Sequence, residues 1–371
     1  MDGTAVERAL FRPRKYSMLV LGIESSCDET AAAVVRYEDG AAGQVLSDVV
    51  RSQIEAHAPF GGVVPEIAAR DHLRAIMPVV ESALKDANLG LDAIDGIAAT
   101  RCPGLVGALL VGLQTAKAMA WTANKPLVGV DHLVGHLLSV FLQRPDQAPP
   151  DVCFPYIGLL VSGGHTALYR VDGTDLDDIK ELGATRDDAV GEAFDKVAKM
   201  LGLGYPGGPI VDRLAQKGQR ENCPLELKTA LSGSLEMSFS GIKSAMARHV
   251  AQAGEMSDQT VADLCAQFQY LVVRTLVKKT LRAARQEDVK AVALAGGVAA
   301  NSELRSTMQK ACDHYGLRLH VPAFRSCTDN AAMIAYAGAV RLAKGERDGL
   351  DMSPEPRTAL VRVTRKGRGK R

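Results

Sequence analysis

The apolar residues of this chain fall into short runs separated by small polar turns, and the runs carry two periods. The run from Met18, MLVLGIE, is β-type; it meets the polar segment SSCDET and resumes as AAAVVRY, which predicts strand, tight turn, strand, with Gly40 and Gly43 in the turn region that follows. Residues 66–88 place apolar groups at helical spacing, with Pro78 as a kink or break. IDGIAAT predicts another short strand. PGLVGALLVGLQTAKAMAW then predicts a helix lying close on a sheet, because each glycine lets a neighbouring backbone approach.

After the polar, proline-bearing stretch QRPDQAPPD, the segment YIGLLVSGGHTALYRV repeats the strand, small polar loop, strand arrangement. Two such units point to a duplicated α/β architecture, although their residues match weakly. Val261, Leu264, Phe268, Leu271 and Val272 mark one face of a helix over 261–285. VKAVALAGGVAANSELR reads as strand, Gly-Gly turn and helix start, and NAAMIAYAGAVRLAKG as a final helix of small residues.

Composition narrows the class. A chain of 371 residues is long for one hydrophobic core, so two packed lobes, or one large one, are expected. No apolar stretch is long enough to span a bilayer, and 44 Lys plus Arg against 43 Asp plus Glu leave any polyanion contact to a local patch. Seven scattered cysteines without C-x-x-C spacing fit a reducing compartment, hence a cytoplasmic protein with no membrane partner. The first 17 residues lack the apolar region of a secretory signal and read as a flexible extension, with a short targeting peptide as the weaker alternative because the segment is brief and carries acids.

The sharpest chemical signal is DHLVGHLLS. His132 and His136 are four apart, so on a helix both imidazoles leave one face, a spacing that suits two ligands to one metal or a shared hydrogen-bond network. No glutamate stands between them, which removes the zinc-protease reading. Asp329, where a loop enters a helix, is the candidate third ligand; Asp131 is either a partner of a ligand or the cap of the helix. Three glycine turns, SGGH (162–165), YPGGP with Gly207 and Gly208, and AGGVAAN with Gly296, Gly297 and Asn301, alternate with the acids Asp28, Glu29, Asp195 and Asp212. Together they read as two walls of a nucleotide cleft. Neither a phosphate loop of the G-x-x-x-x-G-K-[ST] type nor G-x-G-x-x-G after a strand is present. Lys243 is a phosphate contact or an ordinary surface lysine, and Cys27 reads as a buried small residue. Arg274, Lys278, Arg282 and Arg285 form a helical stripe that reads as a solvated face. The terminus adds Arg362, Arg365, Lys366, Arg368, Lys370 and Arg371, either a solvated tail or a polyanion contact.

In order along residues 18–345, GIESSCDET, HAPFGGVVPEIAARDHL, DHLVGHLLS, LLVSGGHT, GEAFDKVAK, GYPGGP, SFSGIK, GGVAAN and CTDNAAMIAYAG resemble the tRNA N6-adenosine threonylcarbamoyltransferase family, once labelled O-sialoglycoprotein endopeptidase. The resemblance implies an α/β, actin-like ATPase (ASKHA) fold with two ribonuclease H-like lobes around a nucleotide cleft. Its lobes would comprise 18–131 plus 330–350 and 132–329, with 351–371 as a basic tail. It implies transfer of threonylcarbamoyl from threonylcarbamoyl-AMP to N6 of adenosine 37 in tRNAs reading codons that begin with A, with release of AMP. By position, His132, His136 and Asp329 match the family's metal ligands, for iron(II) first and zinc second. Leu160, Val161, Ser162, Gly163, Gly164, Asp195, Gly208, Asp212 and Asn301 match substrate contacts, and Glu29 matches the acid of the first loop, which matters for turnover; as a catalytic group, either Glu29 or a substrate phosphate would relay the proton lost by the adenine amine. Implied partners are tRNA, an actin-like paralogue without the metal site, a small P-loop ATPase and a synthase that supplies the adenylate; a homodimer stays open.

Two positions depart from the family pattern. Arg101-Cys102-Pro103-Gly104 stands where Gly-Pro-Gly is usual, and Asp131 where a histidine often precedes the first ligand. A sugar or acetate kinase of the same superfamily is the rival reading, and it has no need of an i, i+4 histidine pair. A silent scaffold is the other, and it would be expected to lose cleft glycines or a ligand.

Overall fold

A computed structural model describes residues 17–38, 42–145, 147–223, 225, 231, 233–254 and 256–360. Of the predicted N-terminal extension only Ser17 is among them; Gly40 and the six basic residues from Arg362 to Arg371 lie outside the described residues.

Two sheets carry the same strand order. The first contains β1 (Ser17–Glu24), β2 (Glu29–Glu38), β3 (Gly43–Ser52), β4 (Gly96–Cys102), β5 (Leu127–Asp131) and β6 (Leu142–Gln143), ordered β5-β4-β1-β2-β3-β6. The second contains β7 (Tyr156–Val161), β8 (Thr166–Val171), β9 (Ile179–Ala184), β10 (Ala291–Ala295) and β11 (Arg318–His320), ordered β11-β10-β7-β8-β9. In each, a three-stranded antiparallel meander is extended by two parallel strands from its first strand. The duplication hinted at by two strand-turn-strand runs is therefore a duplication of topology, as an actin-like fold requires.

Helices α1 (Ile54–His57), α2 (Pro65–Asp86) and α3 (Val106–Ala123) precede a central α4 (His132–Leu138). α5 (Val190–Met200), α6 (Gly207–Ala215), α7 (Ser240–Ala253), α8 (Asp258–Gln286) and α9 (Ser302–Tyr315) follow, then the short α10 (Phe324–Cys327) and α11 (Ala331–Ala343). Three apolar clusters define the layers. One packs α2 and α3 on the outer face of the first sheet, one packs α5 to α9 on the outer face of the second, and the third fills the space between the sheets around α4 and α11. β1 and β7 are central and covered on both faces, which is why they read as near-continuous apolar runs. Among the described residues no helix is long and apolar enough to cross a membrane.

Two local expectations change. α2 runs through Pro78 without a break. Pro78 and Arg74, the residue whose carbonyl it cannot serve, are both on the exposed face, so water can take the orphaned acceptor. Gly43 opens β3 instead of sitting in the turn, and its missing side chain leaves room for the ring of Tyr336. The last described residues, 351–360, pack rather than trail. Met352 and Leu360 are buried, Lys117 donates to the Met352 carbonyl, and Arg101 contacts both Ser353 and Glu355.

α11 is made of small residues because it lies directly on β1. A side chain at Gly22 would come within 2.3 Å of the Ala331 carbonyl and 2.6 Å of the Ala335 amide. Gly22→Ala is therefore expected to lower the urea midpoint, by about 1–3 kcal/mol of stability. Gly241→Ala, which meets nothing within 4 Å, is expected to leave it unchanged or raise it. Equal effects of the two substitutions would contradict this packing.

Candidate metal centre and nucleotide cleft

The C-terminal ends of β1, β4 and β5 lie side by side, and each delivers a polar group to one place. β1 ends in Glu24, β4 supplies Thr100, and β5 ends in Asp131, the N-cap of α4, whose carboxylate accepts from the Leu133 amide at 2.9 Å. That cap starts α4 with His132, and the helical repeat brings His136 onto the same face. The two imidazoles meet edge to face with ring centroids 4.6 Å apart. Gly135 between them leaves little space, since a side chain there would press on Ile334 and Met333 of α11. α11 is capped in turn by Asn330, which accepts from the Met333 amide, and this fixes the preceding Asp329 over the histidines.

The geometry is that of a donor set. Asp329 Oδ1 lies 2.9 Å from His136 Nε2 and 3.6 Å from His132 Nε2, and ligand atoms of the three residues all lie within 4.8 Å of one another. His132 uses Nδ1 to meet Glu24 Oε2 at 2.9 Å, which leaves Nε2 for an ion; Thr100 donates to the same Glu24 oxygen and the Ser26 amide to the other. His136 Nδ1 is buried without a partner, so Asp329 is the protein group that engages this ring. Two imidazoles and one carboxylate suit a divalent ion of the zinc or iron class. Burial alone would neutralise His132, but Asp329 and Glu24 override it and raise its pKa to about 9. Asp329 is driven far down, against burial, by His132 and His136, with His165 of the SGGH loop adding to the effect.

The first loop, Ser25–Asp28, is pinned beside this centre. His72 of α2 bonds Thr30 Oγ1 through Nδ1 and the Cys27 carbonyl through Nε2, at 2.7 and 3.0 Å, and the Gln53 amide donates to the Asp28 carbonyl. Glu29 is held well above the usual carboxylate range by burial, then by Asp329 and Asp28. Burial and the same acids push the Cys27 thiol far up, which keeps it protonated and fits a small residue rather than a nucleophile.

The second sheet presents its own loops. β7 and β10 are parallel neighbours with Leu160 opposite Ala295, so Ser162-Gly163-Gly164 and Gly296-Gly297 emerge together. Gly296 has φ +85°, and a side chain there would strike the Val161 carbonyl, so glycine is required. Positions 163, 164 and 208, in contrast, face open space: a side chain there would meet nothing within 4 Å. Leu160 and Val161 are buried in β7 and can offer only backbone. Asp195 accepts from the Gly207 amide at 2.7 Å, and burial raises its carboxyl, with Asp28 across the cleft adding to the effect. Asp212 receives the Ser302 amide and hydroxyl, and Asn301 caps α9 while its amide donates to Gln269. Lys243 is committed to Asp188.

Sequence reasoning missed Glu24 and Tyr205. A lone acid closing the otherwise apolar run MLVLGIE was the available signal for the first. Tyr205 is raised by burial and by Asp28, Asp195 and Glu29 from both sides of the cleft; only its place in YPGGP pointed to it.

Comparison with known proteins places the chain in a family. Residues 44–336 match the family model of TsaD, tRNA N6-adenosine threonylcarbamoyltransferase. Proteins of that description from Sorangium cellulosum and from Anaeromyxobacter dehalogenans strain 2CP-1 are 63% and 52% identical. The alignments cover 95% and 91% of this chain and 100% and 98% of theirs. Among solved structures, HypF of T. kodakarensis aligns with TM-score 0.55 at 16% identity over 89% of this chain and 48% of its own. A full-length HypF in its phosphate- and nucleotide-bound form aligns with TM-score 0.57 at 12% identity, over 90% and 47%. At those identities the likeness is one of fold. On the match of the family model and the near full-length relatives, the chain belongs to the tRNA N6-adenosine threonylcarbamoyltransferase family.

Proposed function

We propose that this enzyme transfers the threonylcarbamoyl group of threonylcarbamoyl-AMP to N6 of adenosine 37 in tRNAs reading codons that begin with A, with release of AMP. The observation that carries the reading is the His132, His136 and Asp329 donor set opening beside glycine loops with unfilled space. A sugar or acetate kinase would hold magnesium mainly through carboxylates and would not need the imidazole pair.

In the reaction the adenine amine attacks the carbamoyl carbon, a C–N bond forms, and the bond from that carbon to the phosphate oxygen breaks. His132, His136 and Asp329 would hold the ion, iron(II) first and zinc second; when bound it supplies Lewis acidity toward phosphate or carbamoyl oxygens. Backbone N–H groups of Gly163 and Gly164, with Leu160, Val161 and Ser162 behind them, would donate to the charge developing on the carbonyl oxygen. Asp195, Gly208, Asp212 and Asn301 would orient ribose and adenine. Glu29, protonated more readily than an ordinary carboxyl, would relay the N6 proton toward the leaving phosphate. The reading brings with it a cytoplasmic setting, an actin-like paralogue, a small P-loop ATPase and a synthase that makes the adenylate.

Two outcomes follow. Because metal-free His132 is held at about 9, ion binding below that pH must expel its proton, so affinity should rise about tenfold per pH unit from 6 to 8 and level off above 9. Calorimetry in buffers of different ionisation enthalpy should count about one proton per ion. No proton released would contradict the Glu24–His132–Asp329 arrangement, and Glu24→Gln should weaken binding about 10–100-fold while leaving the ligands in place.

Purified protein, with threonylcarbamoyl-AMP and the helper proteins, should place labelled threonine on adenosine 37. His132→Ala should lower the rate by at least about 100-fold, and Glu29→Gln should lower kcat more than it raises KM. Label transfer that survives His132→Ala would sink the role of the centre; none from the wild type beside an active relative would sink the reading itself.

A further inference from the structure

The basic stripe of α8 is unused by the chemistry above, and the fold turns it into the wall of a groove. A cleft of ≈ 940 Å³ runs between α8, α9 and the turn at 286–290, on the outer face of the second sheet. Arg274, Lys278 and Arg285 line it, are exposed, and meet no carboxylate at ion-pair distance among the described residues. Two carboxylates line it against six cations: Asp288 lies 3.2 Å from Lys290, and Glu303 accepts from the neutral amide of Gln269. In a chain of net charge +1, this is a local concentration of unneutralised cations.

Position and shape identify the partner. Eleven residues separate Arg274 from Arg285, about 16 Å of helix, the axial span of several phosphates of a nucleic-acid strand. Aromatic rings stand with the cations: Arg220 lies 4.0 Å over the Tyr270 ring, and Tyr315 at the other wall is 64% exposed. The groove also neighbours the cleft, separated from it by the buried side chain of Gln269. Its end at Tyr270 and Glu303 adjoins Gln269, whose side chain bonds both Asn301 and Glu303. An acidic helix of a protein would satisfy the charges but gives no reason for the exposed ring of Tyr315, which a base or sugar face can cover.

We propose that this groove is a backbone-tracking site for the RNA substrate, holding it away from the reacting adenosine through Arg274, Lys278 and Arg285. The proposal rests on the transferase reading, and extends it from the nucleotide cleft to the surface that steers the acceptor. Contacts of this kind carry affinity and salt dependence, not sequence choice.

The test compares full-length Arg274→Gln/Lys278→Gln/Arg285→Gln with a charge-matched triple of exposed residues elsewhere, Arg36→Gln/Lys85→Gln/Lys180→Gln. Binding of unmodified tRNA is measured from 50 to 200 mM salt, and transfer kinetics at varied tRNA. The groove triple should flatten the slope of log K against log salt by about 2–3, near one per cation removed. It should also raise KM for tRNA about tenfold or more, with kcat unchanged. A slope no flatter than that of the matched triple overturns the proposal, including the case in which the groove variant instead loses a protein partner. Groove-dependent tRNA binding by a wild-type protein that forms no modified adenosine would sink the transferase reading and leave the groove standing.

Discussion

Everything at the centre of this molecule follows from the demand of one partly buried carboxylate for positive partners. Asp329 sits between two imidazoles in the layer shared by both sheets, 2.9 Å from one and 3.6 Å from the other. A carboxylate so placed is costly unless paired. Asp329 is satisfied from α4, and α4 is satisfied from β1 through Glu24. The result is an alternation of acid and imidazole, Glu24, His132, Asp329, His136, in which His132 is the charged ring and burial favours neutral His136, and it spans from the first sheet to the start of α11. A divalent ion would replace the proton on His132 in this chain without changing its order.

The duplicated topology explains why this charge relay faces a cleft. In each sheet the parallel strands end on the same side as the loop of the first hairpin, so Glu24 and the Ser25–Asp28 loop come from one sheet and the two Gly-Gly turns from the other. Cross-cleft influence is visible in the carboxyls themselves, since Asp28 acts on Asp195 and both act on Tyr205. The glycines divide by role. Gly296 is imposed by a backbone that passes too close for any side chain, whereas Gly163, Gly164 and Gly208 are sterically free. Their lack of a side chain relieves no contact of the fold.

The i, i+4 histidines, the strand-turn-strand runs and the small-residue final helix were legible because each is a local pattern with a physical period. The third member of the donor set was legible from its place at a helix entry, where Asn330 supplies the cap. Glu24 was harder, since one acid after an apolar strand gains meaning only when β5 lies two strands away and brings His132 to it. β9 and β11 were not anticipated, because short strands at sheet edges carry little alternation of their own, and neither was the ten-residue β3, whose buried positions include Gly43 and Ser47. The packing of 351–360 was hidden for a related reason. Thr358 and the Ala359 amide both donate to Asp131, a contact across 227 and 228 residues. Arg101 and Asp131, the two departures from the family pattern, thus both hold the last described segment, a connection that spacing could not reveal.

The most direct test of the central arrangement is X-ray absorption spectroscopy at the metal edge on purified protein loaded with one equivalent of iron(II) or zinc. The account predicts a single ion with two imidazole nitrogens and one carboxylate oxygen at about 2.0–2.2 Å, with one imidazole contribution lost in His136→Ala. Ligation by Glu24 in place of His132, or an ion with no imidazole in its shell, would contradict it.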